Sequence, residues 1–167
     1  MKALFIGRFQ PFHMGHLKVI EKISKDFDEV IIGVGSSQYL NTVDNPFSGE
    51  ERKRMIEESL RESDLKNYKI VMIPDIHNPP KWVNHVVSIV SDFDIVIANN
   101  SFTQELFRKK GFKTVNTELF DKANFSGKKI RKLIADGRKW EKFVPKSVSK
   151  IIHEINGVKR IKDLAKE

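Results

Sequence analysis

The chain reads as one doubly wound α/β domain: a parallel sheet of five or six strands, helices on both faces, and further helices toward the C-terminus. Two observations predict this. Short apolar runs rich in Val, Ile and Phe alternate with segments whose apolar residues recur every three or four positions. The runs are apolar at successive positions, not at every second one, as expected of strands covered on both faces. At 167 residues, a single domain over 1–167 is expected, long enough to bury a real core. No linker, repeat or low-complexity tract divides it.

The elements follow in order. "ALFIG" (3–7) is a buried strand. "HLKVIEKISKDF" (16–27) places Leu17, Ile20, Ile23 and Phe27 on one helical face. "EVIIGVGS" (29–36) is a second strand, followed by a loop from Gln38 to Phe47. "GEERKRMIEESLRES" (49–63) is a helix turning Met55, Ile56 and Leu60 inward. "KIVMIP" (69–74) is a strand stopped by Pro74. A helix (81–93) and a strand, "DIVIAN" (94–99), come next. "SFTQELFRKKG" (101–111) is a helix with a glycine at its stop. "FKTVNT" is a fifth strand, "SGKKIRKLIADG" a short helix, and "PKSVSKIIHEI" a last one, with Pro145 suited to a first turn.

Composition narrows the functional classes. Apolar residues make up 40% and charged residues 31% of the chain, which is globular rather than disordered. The absence of cysteine excludes disulfides and thiolate metal sites. The opening "MKALFIGRF" is too short in its apolar part for an export signal, and no run reaches membrane-spanning length, so a cytoplasmic location is expected. The formal charge of +8 draws anions. The cations appear along the whole chain instead of in one block, which favours nucleotides and phosphates over nucleic acid.

Chemistry concentrates in "GRFQPFHMGH" (7–16), at the carboxyl end of the first strand, where ligands of doubly wound sheets bind. Gly7 lets the backbone turn or approach a ligand. Arg8 offers a planar fork suited to phosphate oxygens, and Pro11 keeps its predecessor extended. His13 and His16 flank Gly15, which leaves room for a bulky ligand, and His16 opens a helix whose N-terminus favours an anion. Two imidazoles alone cannot complete a structural zinc site, so no metal is expected on protein ligands. The group suits a phosphate.

This stretch resembles the (H/T)-x-G-H signature of the nucleotidyltransferase superfamily, and in its full form it looks like the archaeal nicotinamide mononucleotide adenylyltransferases. "FSGKKIR" (125–131) partly matches the superfamily's second signature, with Lys128 where that signature has Thr. "IIGVGSSQ", "NPFSGEER", "KWV" and "EINGVKRIKDLAKE" extend the likeness over nearly the whole chain. The resemblance implies a Rossmann-like nucleotidyltransferase fold and an in-line attack of nicotinamide mononucleotide on the α-phosphorus of ATP, giving NAD and pyrophosphate. It implies that His13, His16, Arg8 and Arg131 serve catalysis. ATP would lie against Gly7, Arg8, Phe9, His13, Gly15, His16, Asn100, Ser126, Gly127, Lys128 and Arg131, and the acceptor against Phe9, Arg52, Asn78 and Trp82. It further implies Mg²⁺ held mainly by ATP, no nucleic-acid or membrane partner, and a homo-oligomer, a hexamer in archaeal members.

The chain departs from the pattern at Asp44, where some members carry Arg, and at "IANNS" (97–101), which keeps Asn100 alone of the usual Ser-Gly-Asn-Pro. A transferase with another acceptor phosphate, such as phosphopantetheine or flavin mononucleotide, and a non-catalytic nucleotide-binding module are the competing readings. Arg8 and Trp82 favour the nicotinamide acceptor. His85 and His153 read as helix-surface residues, and His77 as pocket-lining.

Overall fold

The computed structural model describes residues 1–98, 100–116 and 125–167. Among them, five parallel strands form one sheet in the order β3-β2-β1-β4-β5. The strands are β1 (Lys2–Gly7), β2 (Glu29–Gly35), β3 (Tyr68–Ile73), β4 (Ile95–Ile97) and β5 (Lys113–Val115). The chain winds outward from β1 through β2 to β3, then crosses back to place β4 on the other side of β1. Strand order therefore reverses between β1 and β4, and a crevice opens there beyond the carboxyl ends.

Alternate strand residues separate two cores. Ala3, Phe5, Val30, Ile32, Val34, Ile95 and Ile97 face one layer, built by α1 (Met14–Asp26), α2 (Gly49–Glu62), α5 (Gly127–Ala135), α6 (Lys146–Glu154) and α7 (Gly157–Ala165). Leu4, Ile31 and Val96 face the other, built by α3 (Pro79–Ile89) and α4 (Ser101–Lys109). This is the doubly wound arrangement expected, and the inward residues of α1 and α2 are buried as expected apart from Phe27, which is half-buried.

Two boundaries differ from expectation for physical reasons, and two elements are additional. Helix α1 begins at Met14, not His16, because the His13 ring caps it. Helix α3 stops at Ile89, four residues early: Asp94 accepts from the Lys2 backbone at 2.7 Å and Asp92 from Lys2 Nζ at 2.7 Å. These contacts draw residues 92–94 onto the start of β1. A 3-10 turn (Glu141–Phe143) and helix α7 were not anticipated as elements. Asn156, in the left-handed region at φ 60°, turns the chain between α6 and α7.

Candidate functional site

The crevice holds a cavity of about 760 Å³ lined by Gly7, Arg8, Gly35, Ser36, Asp75, His77, Asn78, Trp82, Asn100 and Phe102, among others. It therefore collects Gly7 and Arg8 from the end of β1, Asn78 and Trp82 from the start of α3, and Asn100 from the start of α4. Asp75, which the sequence reading passed over, lies in the same wall. Its backbone is held by Gln38, whose Nε2 donates to the Asp75 carbonyl at 2.8 Å and whose Oε1 accepts from its N–H at 2.9 Å. Tyr39 Oη meets His77 Nε2 at the rim of the cavity. His85 is not a free surface residue: it is half-buried, with Nε2 2.8 Å from the Pro74 carbonyl, steadying the same loop.

The two histidines form a stacked pair, with ring centroids 3.6 Å apart and planes 22° apart. His13 Nδ1 accepts from the backbone N–H groups of Gly15 (3.1 Å) and His16 (3.3 Å), and His16 Nδ1 accepts from the His13 N–H at 3.2 Å. This is a capping box made of imidazoles. An Nδ1 that accepts cannot carry the proton, so in each neutral ring the proton sits on Nε2, making Nε2–H the donor each ring can offer. Burial pushes the His13 pKa down to about 3. Burial, and then the neighbouring His13, push that of His16 well below its ordinary value. The pair works as two neutral donors, and the formal cations of the site are its arginines.

This neutral state carries a stability consequence. Unfolded His13 takes up a proton near pH 6.5, while the folded ring resists until about pH 3. Between those limits the unfolded chain binds more protons, so stability is full above 6.5 and falls as pH drops. The loss should approach about 1.4 kcal/mol per pH unit for one such group. Thermal melts from pH 7 to 4 should show a progressive fall in Tm that is shallower in His13→Asn; identical slopes would reject the buried neutral imidazole.

The late helix reaches the same place. Arg131 Nη1 donates to the Gln10 carbonyl at 2.7 Å. A Cβ added at Gly127 would stand 3.1 Å from that carbonyl oxygen, and one added at Gly15 would stand 2.9 Å from both His13 Cε1 and Phe125 Cβ. The N-terminus of α5 thus packs directly against the first loop. Gly15 makes room for protein here, namely the His13 ring and Phe125, and not for a ligand as expected. Ser126 Oγ caps α5 by accepting from the Lys129 N–H at 3.1 Å, while Lys128 is exposed beside Arg131 in a neighbouring groove. Burial, then the positive charge of Arg8, lower the Arg131 pKa, and Asp44, 3.9 Å from Nη2, opposes this.

Two expected contacts, at Phe9 and Arg52, are corrected, and a third, at Asn100, proves also to be a helix cap. Phe9 is 1% exposed, and with φ 54° its ring folds beneath Gly7 and meets the His16 ring edge-on at 4.7 Å. It supports the loop from below and is not among the residues lining the cavity. Asn100 is at the cavity wall, but its side-chain oxygen accepts from Phe102 N–H (2.8 Å) and Thr103 N–H (3.3 Å), capping α4.

Arg52 departs furthest from expectation. It is neither a solvated helix residue nor an acceptor contact, but fully buried. Its guanidinium donates to the carbonyls of Ser48 (3.1 Å), Arg8 (2.9 Å), Gly35 (2.9 Å), Ser36 (3.1 Å), Ser37 (3.5 Å) and Tyr39 (3.3 Å). It builds the cavity wall from behind. Gln10 does similar work and was also missed: its side chain exchanges two hydrogen bonds with the Phe47 backbone, at 2.9 and 3.0 Å.

No cluster of three or more His, Asp or Glu among the described residues could hold a metal ion, and no helix among them is long and apolar enough to cross a membrane. Comparison with known proteins agrees with the geometry. The cytidylyltransferase-like family model matches residues 4–133. A nicotinamide-nucleotide adenylyltransferase of Picrophilus torridus is 42% identical over 99% of this chain and 98% of its own. One from Methanococcus maripaludis is 44% identical over 100% and 97%. Among solved structures, a bifunctional NMN adenylyltransferase/ADP ribose pyrophosphatase of Francisella tularensis, complexed with AMP and a manganese ion, superposes with a TM-score of 0.77 at 25% identity. That match covers 99% of this chain and only 52% of the larger protein. The family match and relatives this similar along almost the whole length make the chain a member of the cytidylyltransferase-like family, in its branch of nicotinamide-nucleotide adenylyltransferases.

Proposed function

We propose that the protein transfers the adenylyl group of ATP to nicotinamide mononucleotide, forming NAD and releasing pyrophosphate. The observation that carries this reading is the meeting of two phosphate-binding segments. The imidazole-capped start of α1 and the arginine-bearing start of α5 are joined through Arg131 and the Gln10 carbonyl. Adenylyltransferase relatives of nearly equal length support it.

A phosphate oxygen of the acceptor attacks the α-phosphorus, and the bond from that phosphorus to the pyrophosphate oxygen breaks. The attacking oxygen is already anionic, so no general base is required, and the protein's work is positioning and charge stabilisation. The Nε2–H groups of His13 and His16 donate to α-phosphate oxygens as charge builds there. Arg8, exposed in the cavity wall, lies between the acceptor phosphate and the triphosphate. Arg131 and the N–H groups opening α5 hold the β- and γ-phosphates. Trp82 and Asn78 bind the nicotinamide end. The phosphate end of the site presents arginines and neutral imidazoles, so Mg²⁺ would be held by the phosphate oxygens of ATP and would supply positive charge against the leaving pyrophosphate. By the archaeal resemblance six copies assemble in the cytoplasm, and light scattering of the purified chain measures that number.

Incubation with ATP, Mg²⁺ and a panel of acceptor phosphates tests the reading through its product. NAD is expected from nicotinamide mononucleotide, and a different adenylylated product would reassign the acceptor. Arg131→Ala should raise the KM for ATP by about tenfold or more, the usual loss for a hydrogen bond to a charged group. Wild-type kinetics in that variant would reject the two-segment clamp.

A further inference from the structure

The distribution of charge is more lopsided than the even spacing of cations along the chain suggests. Residues 125–167 hold 13 Lys and Arg against 5 Asp and Glu, a net +8, whereas residues 1–124 hold 17 of each. The entire excess therefore lies in α5, α6, α7, the 3-10 turn and the residues that join and follow them, and these helices pack on one face of the sheet. Some of it is matched locally, by Arg160–Glu51, Lys132–Asp136 and Lys159–Asp163. Arg138, Lys139, Lys162 and Lys166 are exposed and enter no ion pair among the described residues.

Three of these cations, Arg138, Lys139 and Lys162, share one hollow, and Lys166 lies one turn beyond Lys162 at the end of α7. A groove of about 310 Å³ beside the clamp is lined by Lys128, Arg131 and Lys132, with Asp44 and Asp136 as its two carboxylates. A second hollow of about 260 Å³ is lined by Arg138, Lys139 and Lys162 with Trp140. Helix α5 runs from the first to the second, nine residues or about 13 Å at 1.5 Å per residue. Cations outnumber carboxylates along α5, from the hollow at Arg138 and Lys139 to the groove at Arg131, so a polyanion approaching there meets a net positive surface.

We propose that the C-terminal layer is an electrostatic collector for nucleoside triphosphate, concentrating the polyanion and delivering it to the clamp without itself touching the reacting atoms. This rests on the reading of the clamp as a triphosphate site. Over a span like the length of α5, each cation still attracts a doubly charged Mg-nucleotide at low salt, and does so little once the Debye length shrinks to about 8 Å. The effect is small per residue and additive over four.

The test is calorimetric titration of the intact protein with Mg-ATP, without acceptor, over a range of ionic strength. The variant replaces Arg138, Lys139, Lys162 and Lys166 by Gln together. It should bind about tenfold more weakly than wild type at about 10 mM ionic strength and about twofold more weakly at about 150 mM. Its kcat at saturating ATP should be unchanged, and Lys-to-Arg exchanges at the three lysines should bind as wild type. Coincident salt profiles for wild type and variant would overturn the proposal. So would a variant that loses binding to a single-stranded oligonucleotide while its ATP profile stays unaltered, because the surface would then serve nucleic acid. The readout is binding, not product, so a protein that bound ATP in this way but made no NAD would sink the proposed reaction and leave the collector standing.

Discussion

His16→Ala should lower kcat by about 100- to 1,000-fold, the range seen when one preorganised donor to a developing oxyanion is removed. The stacking on His13 and the acceptance of the His13 N–H by Nδ1 orient the ring before any substrate arrives, so little reorganisation is needed at the moment of transfer. The same hydrogen bond makes the residue part of the α1 cap, and its loss should cost about 1 kcal/mol of stability. These two effects separate experimentally. The melting temperature should shift by a few degrees, while the rate at saturating substrates collapses. His16→Asn, which keeps a short donor at that position, should recover part of the rate. Because both imidazoles stay neutral over the working range, the rate should show no titration near pH 6.5 that disappears in His16→Asn. An imidazole-type inflection there, or near-normal kcat in the alanine variant, would remove His16 from the chemistry.

What could be read in advance was whatever depends on local order. Runs such as "VIIGVG" are apolar at every position because both faces are covered, and they became the central strands. The first-loop motif was legible because its residues are contiguous and sit at a strand end. Asn100 carried a legible signal that was read differently: an Asn immediately before a helical run is a good N-cap, and the cap uses its side-chain oxygen. Helix α7 was legible too, since Val158, Ile161 and Leu164 recur at helical spacing. Phe9 was not. Its burial follows from a positive φ that nothing in "GRFQ" announces, and the ring fills the space beneath Gly7. The acceptor wall at Asp75 depends on Gln38, 37 residues earlier, a partnership that only the sheet topology creates.

Arg52 shows the same limit at its most severe and leads to the largest stability effect expected. Its acceptors are carbonyls 4 to 44 residues away, drawn from the end of β2, the loop that follows, and Arg8 itself. Burial, then the neighbouring charge of Arg8, pull its pKa down to about 10, so it stays protonated at neutral pH. It carries a full charge inside the protein, solvated by carbonyl dipoles in place of water. Arg52→Ala would strand several buried carbonyls and open a large cavity, at a cost of about 3–5 kcal/mol. For a chain of this size that amounts to a fall in Tm of about 10 °C. Arg52→Lys keeps the charge but not the planar fork, so it can serve only some of these carbonyls and should fall between the two. Arg8, Gly35 and Ser36 line the cavity as well as accepting from Arg52, so loosening them should also raise the KM for the acceptor in the lysine variant. A lysine variant as stable as wild type would mean the fork is dispensable. A destabilised one with unchanged KM would separate the folding of this wall from its recognition of substrate.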